Sequence, residues 1–177
     1  MKKRRIIIIT GNKGEGKTTK LKEVVDNLQY RNYSVIGFLA PAHFIDGKRK
    51  AYDFVDITSK ESHLLCTADP TPEFQKIGSF YFNYSAIKCG KELLRNIKSE
   101  NTIIVIDEIG PFEINGLVWD DSLMHLIKTT NNSIIITVRK KLLDEVIRKY
   151  NLENYSVINI DDDIQKTIDK FVHRNQL

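Results

Sequence analysis

Residues 6–19 read Ile-Ile-Ile-Ile-Thr-Gly-Asn-Lys-Gly-Glu-Gly-Lys-Thr-Thr, and this stretch constrains the fold more than any other. Four consecutive β-branched residues suit a strand covered on both faces, as strands of a parallel sheet are. Gly11 to Thr18 then fits the pattern G-x-x-x-x-G-K-T. Leu21, Val24, Val25 and Leu28 recur at helical spacing and give one apolar face from about Lys17 to Tyr30. Buried strand, glycine loop and helix in that order are the context that separates a phosphate loop from a chance turn. The glycines let the loop curl with its N–H groups inward, where Cβ atoms would block an anion. The helix that opens near Gly16 aims its positive end at the same place. Gly11, Asn12, Lys13, Gly14, Glu15, Gly16, Lys17, Thr18 and Thr19 are therefore the expected cradle for a nucleoside triphosphate. Lys17 supplies charge for the β- and γ-phosphates, Thr18 a hydroxyl for Mg²⁺, and Thr19 reaches the α-phosphate.

The rest of the chain extends this beginning. Ser34 to Leu39 reads as a second strand stopped by Pro41, completing a βαβ unit. Residues 41–83 change character. Asp46-Gly47 is a hairpin-turn signal, Tyr52 to Ile57 alternates like a strand, and His63 to Thr67 is its expected partner. Pro70 and Pro72 mark a loop before Phe80, Tyr81, Phe82 and Tyr84. Too short to bury a core alone, this segment reads as a β-rich insertion beside the sheet. Helical spacing returns at Ala86, Cys89, Leu93, Leu94 and Ile97. Thr102 to Ile106 is a strand, 122–129 a helix, Ser133 to Val138 a strand, and Leu142 to Tyr150 a helix. Tyr155 to Ile160 is a short strand, and Ile164, Ile168, Phe171 and Val172 mark a last helix capped within Asp161-Asp162-Asp163. The expectation is one α/β domain over residues 1–177, a doubly wound and mainly parallel sheet flanked by helices.

Ile103-Ile-Val-Ile-Asp107-Glu108 completes the expected site. A hydrophobic strand ending in an acid puts a carboxylate at the C-terminal edge of the sheet, where ligands of open α/β folds bind. Asp107 is the expected Mg²⁺ partner, direct or through water. Glu108, a second acid immediately after it, suits a residue that orients or activates water, which favours hydrolysis over transfer to an acceptor. Arg139, at the end of the strand from Ser133, offers a cis arginine for the γ-phosphate, with Lys140 and Lys141 beside it. Lys48, Arg49 and Lys50 read as a solvated hairpin tip. The aromatic set at 80–84 reads as strand and core rather than a stacking platform for bases. The four histidines have no partner spacing that suggests a metal site.

Composition narrows the class. Of 177 residues, 27 are basic and 23 acidic, and the resulting net charge of +4 suits an anionic small ligand without indicating nucleic acid. Cys66 and Cys89 lack metal-ligand spacing and fit free thiols in a reducing cytoplasm. Lys2-Lys3-Arg4-Arg5 before Ile6 is a solvated lead-in, because the apolar run is too short for a signal peptide. No stretch approaches a membrane span, and no obligate protein partner is readable.

Thr10-Gly-Asn-Lys-Gly-Glu-Gly-Lys-Thr-Thr19 together with Ile106-Asp-Glu-Ile-Gly-Pro-Phe-Glu113 resembles a family of small nucleoside-triphosphatases, typified by thermophile enzymes and a cancer-related vertebrate member. Gly47 to Ile57 resembles that family's basic-then-strand insertion, Ile77 to Phe82 the strand before its next helix, and Gly116-Leu-Val-Trp119 its glycine-tryptophan turn. The resemblance covers nearly the whole chain. It implies a RecA-like P-loop core and Mg²⁺-dependent hydrolysis of nucleoside triphosphates with broad base selectivity. Lys17 and Thr18 match the phosphate and metal positions, Asp107 the metal-associated acid, Glu108 the water-activating acid, and Glu113 a further family acid. Many members carry Asn-Arg after the last strand, whereas here Ile160 follows Asn159. Two other functions stay open at this point: a kinase, with residues 41–83 as lid, and a nucleotide-switched binding module.

Overall fold

A computed structural model describes residues 5–163, 165, 166, 168 and 169. Its spine is the run of five parallel strands that the β-branched segments form. They are β1 (Ile6–Gly11), β2 (Val35–Leu39), β8 (Ile103–Ile109), β9 (Ser133–Arg139) and β10 (Tyr155–Asn159), in the order β10-β1-β9-β8-β2. Period-two alternation splits β1, β2, β8 and β9 between two cores, and β10 adds Ile158 to one of them. Ile7 and Ile9 pack with Leu21, Val24, Val25 and Leu28 of α1 (Lys17–Tyr30). Ile6 and Ile8 share the opposite core with α2 (Tyr84–Arg95), α4 (Asp120–Thr129) and α5 (Leu143–Lys149). The sheet is thus covered on both faces. The four buried residues of α1 alone represent about 6–12 kcal/mol of apolar burial before entropy is counted.

The insertion continues this sheet rather than leaving it. β4 (Lys48–Asp56) pairs antiparallel with β2 through Phe38↔Asp56 and Leu39↔Val55. Beyond β4 lie β5 (Ser62–Thr67), β7 (Phe80–Phe82) and β6 (Gln75–Ile77), while β3 (Ala42–Ile45) forms a hairpin on β4. Both residues of the Asp46-Gly47 turn have positive φ, 51° and 70°, the geometry that a two-residue hairpin needs. Phe54 of β4 lies 5.1 Å from Phe38 and 6.1 Å from Trp119, ring centre to ring centre, so the insertion is packed by the same core.

Three details differ from the sequence expectation. α2 stops at Arg95 instead of reaching Ile97, with Asn96 as its C-cap. A short helix, α3 (Pro111–Ile114), begins at a proline, the residue best suited to a first helical position. Arg139 falls inside β9, and a 3₁₀ turn precedes α5. At the C-terminal end, Asp163 accepts the Lys166 amide at 3.1 Å, as an N-cap does, and Ile168 is buried against α1. Ile164, Phe171 and Val172 lie outside the described residues.

Candidate active site

β1 ends between β9 and β10, and the connections there diverge. α1 leaves over one face of the sheet and α5 over the other. Such a switch point opens a crevice at the strands' carboxyl ends, and the glycine loop fills its rim. Gly14 and Gly16 have φ of 88° and 86°, left-handed values that side chains resist. The Lys20 amide bonds Gly16 O at 2.9 Å, the first helical bond of α1. The amides preceding it have no helical acceptor and are available to an anion. Glu15 turns back and accepts from the Asn12 side chain at 2.7 Å and from its backbone N–H at 2.5 Å, which braces the loop.

Lys17 is buried, with Nζ donating to the carbonyls of Asn12 at 2.6 Å and Gly11 at 3.3 Å. Burial lowers its pKa, the nearby Arg139 and Arg49 cations lower it further, and Glu108 and Asp107 offset part of the effect. Its charge is held where an added anion would stabilise it.

Asp107 is the most enclosed acid of the crevice, 1% exposed. Its Oδ2 accepts the Ala40 amide at 3.0 Å, its Oδ1 accepts the Thr137 hydroxyl at 2.6 Å, and Thr18 lines the same cavity. Burial raises its pKa, against the pull of those bonds. Glu108 follows at a kink. Its φ is 59°, and the register of β8 on β9 shifts between Ile106 and Ile109. The Thr137 hydroxyl accepts the Glu108 amide at 2.7 Å. One threonine in β9 therefore holds both acids. The sequence reading missed Thr137, whose signal was a lone hydroxyl in the apolar run Ile134-Ile-Ile-Thr-Val138.

Arg139 stands at the crevice beside Glu108. Its guanidinium is paired with the Glu108 carboxylate, Nε donating at 3.0 Å and Nη2 closing the pair. Burial works against its charge, but Glu108 outweighs burial and raises the Arg139 pKa. Glu113 is fully enclosed and accepts the Gly110 amide at 2.9 Å at the start of α3. Burial pushes its pKa up to about 8.

Gly14, Gly16, Lys17, Thr18, Thr19, Ala40, Asp107, Glu108 and Thr137 line one cavity of about 250 Å³, roofed by Phe44, Arg49 and Tyr52 of the insertion. A larger cavity of about 880 Å³ lies at the opposite end of the sheet, beside Tyr33, Arg95, Lys98 and His125. It contains none of the residues above. The aromatic set is mostly structural: Phe82 is buried 4.9 Å from Phe112, and Phe80 packs 5.7 Å from Tyr52. Among the described residues no cluster of three histidines, cysteines or acids is placed to hold a metal ion, and no helix is long and apolar enough to cross a membrane.

A family model described as NTPase matches residues 6–171. The chain belongs to this NTPase family. Among curated relatives it is 35% identical over 108 residues to the nucleoside-triphosphatase THEP1 of Saccharolobus solfataricus, an alignment covering 61% of each chain. It is 27% identical over 152 residues to THEP1 of Methanothermobacter thermautotrophicus, covering 85% of this chain and 86% of the relative. The solution structure of a human cancer-related nucleoside triphosphatase superimposes with a TM-score of 0.70 at 21% identity, covering 97% of each chain. The crystal structure of THEP1 from Aquifex aeolicus gives 0.71 at 23%, covering 92% and 96%. Family membership makes the chain an enzyme of the nucleoside-triphosphatase kind, and the neighbours bear out the P-loop α/β fold.

Proposed function

We propose that the enzyme hydrolyses nucleoside triphosphates to nucleoside diphosphates and phosphate in a Mg²⁺-dependent reaction at the cavity below the insertion. One observation carries this reading: the phosphate-loop residues Lys17 and Thr18 share that cavity with the adjacent acids Asp107 and Glu108. In this reading the loop amides and the Lys17 ammonium bind the β- and γ-phosphates, with Nζ exchanging the Gly11 and Asn12 carbonyls for phosphate oxygens.

The Thr18 hydroxyl and the Asp107 carboxylate fit Mg²⁺. Both are hard oxygen donors, and one carboxylate beside substrate phosphates is a usual Mg²⁺ environment. Thr18 and Asp107 line the same cavity, so one ion can meet both. When bound, the ion neutralises phosphate charge. Glu108 orients a water in line with the γ-phosphorus and accepts its proton as the new P–O bond forms. The bond from the γ-phosphorus to the bridging oxygen breaks, and its electron pair leaves on the diphosphate. Arg139 positions Glu108 through their ion pair.

Slow turnover and broad base selectivity belong to the same proposal. Lys17 must leave two carbonyls before it meets phosphate. Beyond β10, Ile160 stands near Gly11, and Asp162 turns back to accept the Asn159 amide at 2.8 Å. That loop presents neither cation nor ring to select a base.

Phosphate release from ATP, GTP, CTP and UTP with Mg²⁺ tests the proposal, comparing wild type with Lys17→Ala and Glu108→Gln. Release from several triphosphates, lost in both variants, is the expected result. Binding without release in wild type, or label transferred to an added nucleoside, would overturn it.

A further inference from the structure

Arg49 does not behave as part of a solvated tip. The three basic residues after the Asp46-Gly47 turn separate by strand alternation. Lys48 is exposed and Lys50 faces Asp69 at 3.5 Å, while Arg49 points the other way, into the nucleotide cavity. Its guanidinium lies 5.3 Å from the ring centre of Phe44, its cross-strand partner, and 5.5 Å from that of Tyr52. Nη1 donates to the Tyr52 hydroxyl at 3.0 Å. Nη2 stands 4.0 Å from the point where a Cβ on Gly14 would sit, directly over the phosphate loop. Nε is buried and has no hydrogen-bond partner. No acid lies within ion-pair distance of Arg49 among the described residues. A guanidinium clamped by two rings, with Nη2 above an anion cradle and no acid to pair it, is arranged for a ligand oxygen. Arg139, the other arginine of the crevice, already gives Nε and Nη2 to Glu108.

We propose that Arg49 is the cation that contacts the terminal phosphate, carried to it in the same chain by the β3–β4 hairpin. This rests on the hydrolase reading above and assigns a residue to it. The guanidinium donates hydrogen bonds to γ-phosphate oxygens and meets the charge that gathers on the β–γ bridging oxygen as that bond lengthens. Arg49 loses no proton in this step, since the water's proton passes to Glu108. A diphosphate lacks the group Arg49 reads, so the hairpin discriminates triphosphate from product.

The test pairs binding with turnover in wild type, Arg49→Ala, Arg49→Lys and Tyr52→Phe, all checked for wild-type melting. Affinities for ADP and for the imido-bridged ATP analogue are measured with Mg²⁺. Arg49→Ala is expected to lose about tenfold or more of its affinity for the analogue while ADP affinity is unchanged. Its kcat is expected to fall about 10²- to 10³-fold and to be restored in part by added guanidinium ion. Arg49→Lys recovers only part, because a point charge lacks the planar fork. Tyr52→Phe, which keeps the ring and removes the anchoring hydroxyl, gives a smaller loss of kcat. Unchanged discrimination between analogue and ADP in Arg49→Ala, with unchanged kcat, would overturn the assignment. The binding ratio decides this even if wild type releases no phosphate, a result that would remove the hydrolase reading alone.

Discussion

Replacing Thr137 by valine keeps shape and removes one hydroxyl, and the structure lets the consequence be worked out. That hydroxyl donates to Asp107 at 2.6 Å and accepts the Glu108 amide at 2.7 Å, and Thr137 is itself 1% exposed. Valine leaves a carboxylate oxygen and a partly buried amide without these partners. Each unsatisfied group costs about 1–3 kcal/mol, and an added buried methyl returns about 1 kcal/mol. A net loss of about 3 kcal/mol corresponds to a fall in Tm of about 6–12 °C for a chain of this size. Activity should suffer separately. The left-handed backbone of Glu108 carries about 1–2 kcal/mol of strain, and its amide bond to Thr137 is what offsets it. Once released, the backbone relaxes and the carboxylate moves. A displacement of about 1 Å is enough to lower kcat by about 10²-fold, while ATP affinity, set mainly at the loop, stays near wild type. Calorimetric melting and steady-state phosphate release measure the two effects, and Thr137→Ser should recover both. A valine variant with wild-type Tm and wild-type kcat would refute the claim that Thr137 supports the acids.

Other outcomes follow from the same geometry. Arg139→Met should lower kcat by about tenfold or more through loss of Glu108 orientation, and should leave the preference for the ATP analogue over ADP intact, as calorimetric titration would show. Glu113 holds a proton in the folded state up to pH about 8 that the unfolded chain, with the ordinary value of 4.5, releases earlier. Stability should therefore fall as pH rises across that window, and Glu113→Gln should flatten the slope in urea melts between pH 5 and 8. A Cβ on Gly90 would stand 2.5 Å from the Trp119 ring and 3.0 Å from Phe54. Gly90→Ala should thus lower Tm despite its helix-propensity gain of about 1 kcal/mol, because overpacking costs about 1–3 kcal/mol.

The parallel core was legible because its signals are local. Ile6 to Ile9 can be little other than a strand buried on both faces, and the spacing from Leu21 to Leu28 allows one helix face. The loop, Asp107 and Glu108 were legible for the same reason: motif and flanking elements lie within a few residues of each other. What escaped were relations between distant strands. The Glu108–Arg139 pair spans β8 and β9, and the sequence shows only that each residue ends a strand. Thr137 acts through a register shift that no single-strand pattern encodes. Arg49 sits in a basic trio whose composition says surface. Only the hairpin's placement on β2 turns one of the three inward.

These relations together divide the positive charge of the site into separate tasks. Lys17 lies within the loop with its carbonyl partners, Arg139 is paired with Glu108, and Arg49 stands on the hairpin with Nη2 over the loop. A carboxylate paired with a cation offsets part of the attraction that cation offers an incoming phosphate. In the proposed reaction Arg139 aims the acid at water through that pair. The insertion roofs the cavity and brings Arg49 over the phosphate loop. In the proposed reaction residues 41–83 extend the site and supply a cation that no acid among the described residues pairs. A chain lacking the β3–β4 hairpin would still bind a diphosphate at the loop and would lose its hold on the third phosphate.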